Sequence, residues 1–402
     1  METLRGVTAP ARAGTTFSGT LRARAQAAAA VAATHAAAVD RDSRFPAEAF
    51  AEIKKQGLLG VMVPQALGGE GVSLADVADV CFALAQSCSS TGMIYAMHQI
   101  KMGCIIRHHR GSAEHERLLR KIAAEQLLMA SSTTEGQGGG NVRASEAPVI
   151  RDGNRITLER KASVISYGAA ADGIVTTARR APDAAPSDQV LVVALKSDYT
   201  LEPMMSWDTL GMRGTCSEGF TLRINASAES VMPEPYERIH AQTMVPFAHL
   251  TWGSVWAGIA AAATGRAQAF IRNAARHANG QLPPGAPHFT SAITSLRTLR
   301  SLLASGLRTY EQAMGDEKAL ASLEFQSMIT LTKVEASELA AATVMSAMRA
   351  CGLSGYRNDS EFSIGRHLRD VLSSPIMINN DRILANLAAP SLMTPLPASI
   401  SN

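Results

Sequence analysis

The hydrophobic period changes twice along this 402-residue chain, and that double switch limits the fold more than any single residue does. From about Thr20 to Gln126 apolar residues recur at helical spacing. An alanine-rich run ends near Asp40, and Pro46 stands at the start of a second run, where its fixed φ suits a first turn. The loop Gly68-Gly69-Glu70-Gly71 precedes Ser73, which is placed to cap the next helix. The period then falls to two. Val149-Ile150, the turn Asp152-Gly153-Asn154 and Ile156 to Leu158 read as a hairpin, with further short strands at Ile174–Ala178, Val190–Leu195 and Phe220–Ile224. After Pro246 helical spacing returns: Leu296, Leu299, Leu303, Leu307 and Tyr310 form one stripe, and Ser322 to Arg349 runs without Gly or Pro. Helices, then strands, then helices predict an α+β fold with segregated layers, divided as residues 1–126, 127–235 and 236–402.

Composition narrows the class. With 46% hydrophobic and 18% charged residues the chain is globular, not disordered. Its longest apolar stretch, Val255 to Thr264, falls well short of the roughly 20 residues that span a bilayer, so no membrane span is expected. A net charge of +3, from 38 basic and 35 acidic residues, gives no case for a nucleic-acid partner. Five cysteines without a C-x-x-C pair suggest neither a disulfide framework nor a zinc site, and Cys81 and Cys88 read as small core residues. Residues 1–27 carry Arg5, Arg12, Arg22 and Arg24 against Glu2. That suits a transit peptide or a plain alanine-rich start, and the expected compartment is the cytoplasm.

Familiar catalytic signatures are missing: no G-x-G-x-x-G behind a strand, no P-loop, no G-x-S-x-G and no H-E-x-x-H. One glycine cluster, Gly136-Gln-Gly-Gly-Gly140, follows Leu127 to Glu135, a strand running into a loop rich in hydroxyls and backbone N–H groups. Such a loop can approach a heterocycle or phosphate closely, or can simply be a surface turn.

Five segments, in order, resemble the acyl-CoA dehydrogenase flavoproteins. They are Phe45-Pro46 with Gly57 to Gly69; Thr134-Glu135-x-x-Gly138-Gly139, with Gly140-Asn141 where a Ser-Asp pair is usual; Lys161 to Asp172; Leu210 to Thr215; and Gly352 to Tyr356 with Arg369-Asp370 behind it. The resemblance implies an N-terminal helical domain, a β-barrel-like middle domain and a C-terminal four-helix bundle. It also implies FAD held between the β-domain and the C-terminal helices, with a second subunit closing over the adenosine end of a homotetramer or dimer. Ser132, Thr134 and Ser166 fall where the family's hydroxyls meet the flavin ring, or are strand-end hydroxyls satisfied locally. Arg276 falls near a pyrophosphate-binding arginine, or is a solvated helix residue. Gly352 and Asn380 are further cofactor-binding positions, and Arg349 replaces a glutamine that reaches the neighbouring flavin.

One departure bears on the chemistry. In the family a glutamate removes the α-proton of an acyl thioester while the β-hydride passes to the flavin. Here Met377-Ile378-Asn379-Asn380 stands for the usual Tyr-Glu-Gly-Thr, and Trp252 occupies the alternative position. Asp381 is the nearest carboxylate, a displaced base or a helix cap. His98 and His367 are further candidates, and Met93, Met97 and Met102 line either an acyl pocket or the core. Three functions follow from the resemblance. The first is an FAD-dependent dehydrogenase of fatty acid metabolism, acting on an acyl-CoA or acyl-carrier-protein thioester and passing electrons to a flavoprotein or oxygen. The second is a two-component flavin monooxygenase of the dibenzothiophene type, fed by a reductase. The third is a flavin-bound binding protein with little turnover.

Overall fold

The computed structural model describes residues 19–134 and 144–393. The glycine cluster Gly136–Gly140, with Glu135 and Asn141, lies outside them. Among the described residues five α-helices come first: α1 (Leu21–Arg41), α2 (Ala47–Lys55), α3 (Leu74–Ser87), α4 (Ser89–His108) and α5 (Ala113–Glu125). Their starts follow from local chemistry. Thr20 accepts the Ala23 N–H at 3.2 Å, and Ser73 with Asp76 forms a reciprocal capping box. Helix α4 is buried almost all round, as a core helix must be. Tyr95 and Gln99 donate to the Leu58 carbonyl at 3.1 and 3.0 Å, which locks α4 to the segment after α2. Met93 and Met102 are core residues there, and Met97 packs half-buried against the same core.

Among the described residues seven strands follow: β1 (Met129–Ser132), β2 (Ile150–Asp152), β3 (Arg155–Ile165), β4 (Gly173–Arg179), β5 (Gln189–Leu195), β6 (Tyr199–Met205) and β7 (Glu218–Ser227). They form two sheets, ordered β1-β4-β5 and β2-β3-β7-β6, with β1 parallel to β4 and the other pairs antiparallel. The β3–β7 register runs from Arg155 opposite Ser227 and slips between Ala162 and Ile165, which bends the end of β3 out of the ladder. Alternate residues of β3 are buried. Arg160 lies in that buried row, its guanidinium held by the Thr177 carbonyl and hydroxyl.

Helices then return: α6 (Tyr236–Ile239), a π-turn over His240–Met244, α7 (Val245–His277), α8 (Ala286–Ala313), α9 (Glu317–Ala321), α10 (Leu323–Cys351), α11 (Leu353–Tyr356), α12 (Gly365–Val371) and α13 (Asn380–Met393). Helices α7, α8 and α10 pack on one another, α12 and α13 lie on α10, and α3 and α4 pack against α7. Two glycines permit the tight crossings. A Cβ on Gly253 would stand 2.4 Å from Leu303 of α8, and one on Gly258 would stand 2.5 Å from the Phe82 carbonyl of α3. One hydrophobic core therefore runs from the N-terminal helices through the sheets into the bundle. Among the described residues no helix is long and apolar enough to cross a membrane.

Candidate functional site

Strand alternation sorts the hydroxyls at the end of β1. Ser131 is half-buried, Ser132 is fully buried, and Thr133 and Thr134 are again half-buried where the strand ends. The Ser132 Oγ has no hydrogen-bond partner, and its carbonyl accepts from the Thr176 hydroxyl at 2.7 Å. A buried hydroxyl without a partner carries a desolvation penalty, so it calls for a reason.

The end of β3 is fixed against β1. Tyr167, in the left-handed region at φ 46°, donates its N–H to the Thr215 carbonyl at 2.8 Å and its phenol to the Met129 carbonyl at 2.9 Å. Ser166 beside it is buried and accepts from the Ser217 hydroxyl at 2.8 Å. Ser217 is also 2.8 Å from the Thr215 hydroxyl, which donates to the Met212 carbonyl at 2.8 Å. The Met212 N–H in turn donates to Asp370 of α12 at 2.7 Å. Burial raises the Asp370 carboxyl above the usual range, against the pull of the Met212 N–H and Ser89. A run of close polar contacts thus leads from Ser166 at the sheet edge to the C-terminal helices; Ser217 and Thr215 carry one proton each, so Ser217 donates either to Ser166 or to Thr215 at a given moment. With Ser217 as donor, the Ser166 proton remains available to an acceptor at that edge.

The other expected residues are placed differently. Arg276 is exposed in the last turn of α7, and Gly352 is exposed at φ 55° where α10 ends, with Arg349 exposed just before it. Asn380 is buried and its amide is spent within the bundle: Oδ1 accepts from Lys333 at 2.6 Å, and Nδ2 donates to Ser337 and Glu338 at 2.9 and 2.8 Å. Asp381 is exposed in the first turn of α13, and its N–H donates to Asn379 Oδ1 at 3.0 Å. Ile378 is half-buried against the main core with φ 54°, a conformation that a β-branched side chain rarely adopts. Trp252 is buried, and its indole N–H has no partner.

Neither histidine is set up as a base. His98 is fully buried; its Nδ1 accepts the Met129 N–H at 3.0 Å and its Nε2 donates to the Leu59 carbonyl at 2.9 Å. Burial lowers its pKa to about 4, so it is a neutral tie between α4 and β1. Burial, with Arg266 and Arg366 nearby, lowers His367 to about 3.

Two features escaped the sequence reading. Ser217 stands two residues beyond the Leu210–Thr215 segment, and only the fold brings it to Ser166. Lys333 is fully buried on α10, donates to the Ser374 carbonyl at 3.1 Å as well as to Asn380, and lies 5.6 Å over the Trp256 ring. Its position four residues before Ser337 on the inward row of α10 was the available signal.

A flavin ring presents carbonyls and ring nitrogens to hydroxyl donors, and the free Ser132 hydroxyl, half-buried Thr134 and the spare Ser166 proton fit that demand. Comparison with known proteins bears on the family. Residues 20–126 match the acyl-CoA dehydrogenase N-terminal domain, and residues 250–393 match the acyl-CoA dehydrogenase C-terminal domain. Cyclohex-1-ene-1-carbonyl-CoA dehydrogenase of Geobacter metallireducens is 28% identical over 90% of this chain and 94% of its own. L-evernosamine nitrososynthase of a Micromonospora species is 28% identical over 84% of this chain and 81% of its own. Among solved structures, the dibenzothiophene monooxygenase TdsC of Paenibacillus sp. A11-2 shares the fold with a TM-score of 0.80 at 16% identity, covering 94% of this chain and 98% of that one. Matched at both ends of its sequence and throughout its architecture, the chain belongs to the acyl-CoA dehydrogenase family of flavin enzymes, whose cofactor is FAD.

Proposed function

We propose that the protein is a flavin-dependent monooxygenase on the acyl-CoA dehydrogenase scaffold, not the acyl thioester dehydrogenase that the sequence reading put first. The observation that carries this is Ile378. Desaturation of a thioester requires a base to take the α-proton as hydride leaves the β-carbon, and a positioned base contributes roughly 10²–10⁴ in rate. An isoleucine side chain cannot take a proton. The carboxylates of the same region are committed elsewhere: Asp370 to Met212, Glu338 to Asn380, with Asp381 facing solvent.

Oxygen transfer makes no such demand. Bound FAD, reduced by a separate reductase, would supply the two electrons that activate dioxygen, one oxygen atom passing to the substrate and the other leaving as water, so the protein's own task is to bind, orient and exclude bulk water. Ser132, Thr134 and Ser166 would hold the ring, and the Ser217–Thr215–Met212–Asp370 chain stiffens Ser166. Ile378 and Trp252, at the positions where the family carries its base, would present an apolar wall that keeps water from the reacting face. Exposed Arg276 and Gly352 would serve the neighbouring subunit's cofactor in a homo-oligomer.

The dehydrogenase relative at 28% identity keeps a second reading in play, acyl thioester oxidation with Asp381 as base. The two separate cleanly. Flavin reduced anaerobically by an acyl-CoA supports the dehydrogenase. Incorporation of labelled dioxygen into an organic product, only with a reductase present, supports the monooxygenase. Indole, aryl sulfides and nucleotide-linked amino sugars form the first substrate panel.

A further inference from the structure

A cavity of about 600 Å³ lies between the end of α1, the loop before β7, the middle of α7 and the segment leading into α12. Five arginines line it, Arg41, Arg213, Arg266, Arg366 and Arg369, against one acid, Asp40. Three of the five are spoken for. Arg369 pairs with Asp40, Arg41 pairs with Asp42, and Arg213 is spent on the carbonyls of Asp40 and Thr209.

The other two are not. Arg266, half-buried on α7, gives one nitrogen to the Ser363 carbonyl at 2.7 Å. Arg366, half-buried at the start of α12, has a single long contact to the Ser87 carbonyl at 3.5 Å. Neither has a carboxylate within 4.0 Å among the described residues. The carboxyl nearest in effect, Asp370, is buried and already bonded to Met212. The two guanidinium groups repel each other: burial and Arg366 both disfavour the Arg266 charge. Ser360, Ser363 and Asn358 add polar groups on the same wall.

Two neighbouring cations, partly desolvated, without a counter-ion and facing an open cavity beside hydroxyls, destabilise the fold unless something negative joins them. Guanidinium pairs match tetrahedral oxyanions, because each offers parallel N–H donors to two oxygens. We propose that this cavity is a binding site for a phosphate group, held by Arg266 and Arg366 and presented by a small phosphorylated molecule. The cavity is large enough for the ester as well as the phosphate. Nothing in this proposal depends on which reaction the flavin performs.

The test is isothermal titration of the flavin-loaded enzyme at low salt with adenosine 3′,5′-bisphosphate, ADP and inorganic phosphate. The expected result is one saturable site per chain that weakens with added salt and weakens at least about tenfold in Arg266→Gln and in Arg366→Gln. Arg366→Lys should recover part of the loss, and Arg297→Gln, an exposed arginine on α8, should change nothing. Tighter binding of either nucleotide than of inorganic phosphate identifies an esterified ligand; equal binding identifies the free ion. An intact flavin spectrum and melting curve exclude misfolding as the cause of a loss. No saturable binding of any of the three probes, or binding unchanged in both glutamine variants, would overturn the proposal.

Discussion

Replacing Asn380 with alanine separates a cofactor ligand from a structural clamp. Asn380 Oδ1 accepts from Lys333 at 2.6 Å, and Lys333 is fully buried with only the Ser374 carbonyl as a second acceptor. A hydrogen bond to a charged group contributes about 1.5–3 kcal/mol, and a buried ammonium that loses an acceptor bears most of that penalty. The amide's own two donated bonds add less, because Ser337 also donates to the Val334 carbonyl at 2.7 Å and Glu338 is exposed. Asn380→Ala should therefore cost about 2–4 kcal/mol. Lys333→Met removes the charge that needs the acceptor, so the double variant should lose clearly less than the sum of the singles, with a coupling of about 1 kcal/mol or more. The assay is urea unfolding followed by tryptophan fluorescence at a fixed excess of FAD, since Trp256 lies under Lys333. FAD titration of the same variants completes it, with affinity expected to stay within about threefold of the parent. Strict additivity, or a large loss of FAD affinity with an unmoved urea midpoint, would refute the clamp and return Asn380 to the cofactor site.

Three further outcomes are expected. Ser166→Ala should weaken FAD binding about tenfold and Ser217→Ala less, by fluorescence titration of the apoprotein, because only Ser166 would donate directly; equal or no effect in both would remove the hydroxyl chain from the site. His98 is held at about 4 by burial against an ordinary 6.5, so the unfolded chain takes up a proton that the folded one refuses. Stability from this group is complete above pH 6.5 and is lost as pH falls to about 4, by roughly 3 kcal/mol in all; His98→Gln should flatten that part of the urea-midpoint profile. Light scattering should show a dimer or tetramer, since Leu353, Tyr356 and Ile376 are 72%, 75% and 74% exposed at the C-terminal face; a flavin-loaded monomer would contradict this.

The order of layers was legible because hydrophobic period is a local property. Ser73 announces α3 by its own side chain, and the Leu299–Leu303–Tyr310 stripe buries as its spacing requires. The site was only partly legible, because its polar chain joins residues far apart. Ser217 meets Ser166 across 51 positions, and Met212 meets Asp370 across 158, through strand register and helix packing that no local pattern encodes. Asn380 looked like a cofactor residue by its place in a family segment. Its buried partner on α10, Lys333, lay 47 positions away and gave no local warning. The methionines of α4 suited a core more readily than a pocket by their spacing, and two of them are buried on the helix that Tyr95 and Gln99 tie to Leu58.

The central claim is that Ile378 leaves this scaffold without a base for thioester desaturation. Its most direct measurement is stopped-flow absorbance of the FAD-loaded enzyme mixed anaerobically with short-, medium- and long-chain and cyclic acyl-CoAs. The account predicts that the flavin stays oxidised with every one of them, while the same enzyme sample, given a reductase and dioxygen, remains competent to transfer oxygen. Bleaching of the flavin by any acyl-CoA within seconds would contradict it and make the protein a dehydrogenase with a base at another position.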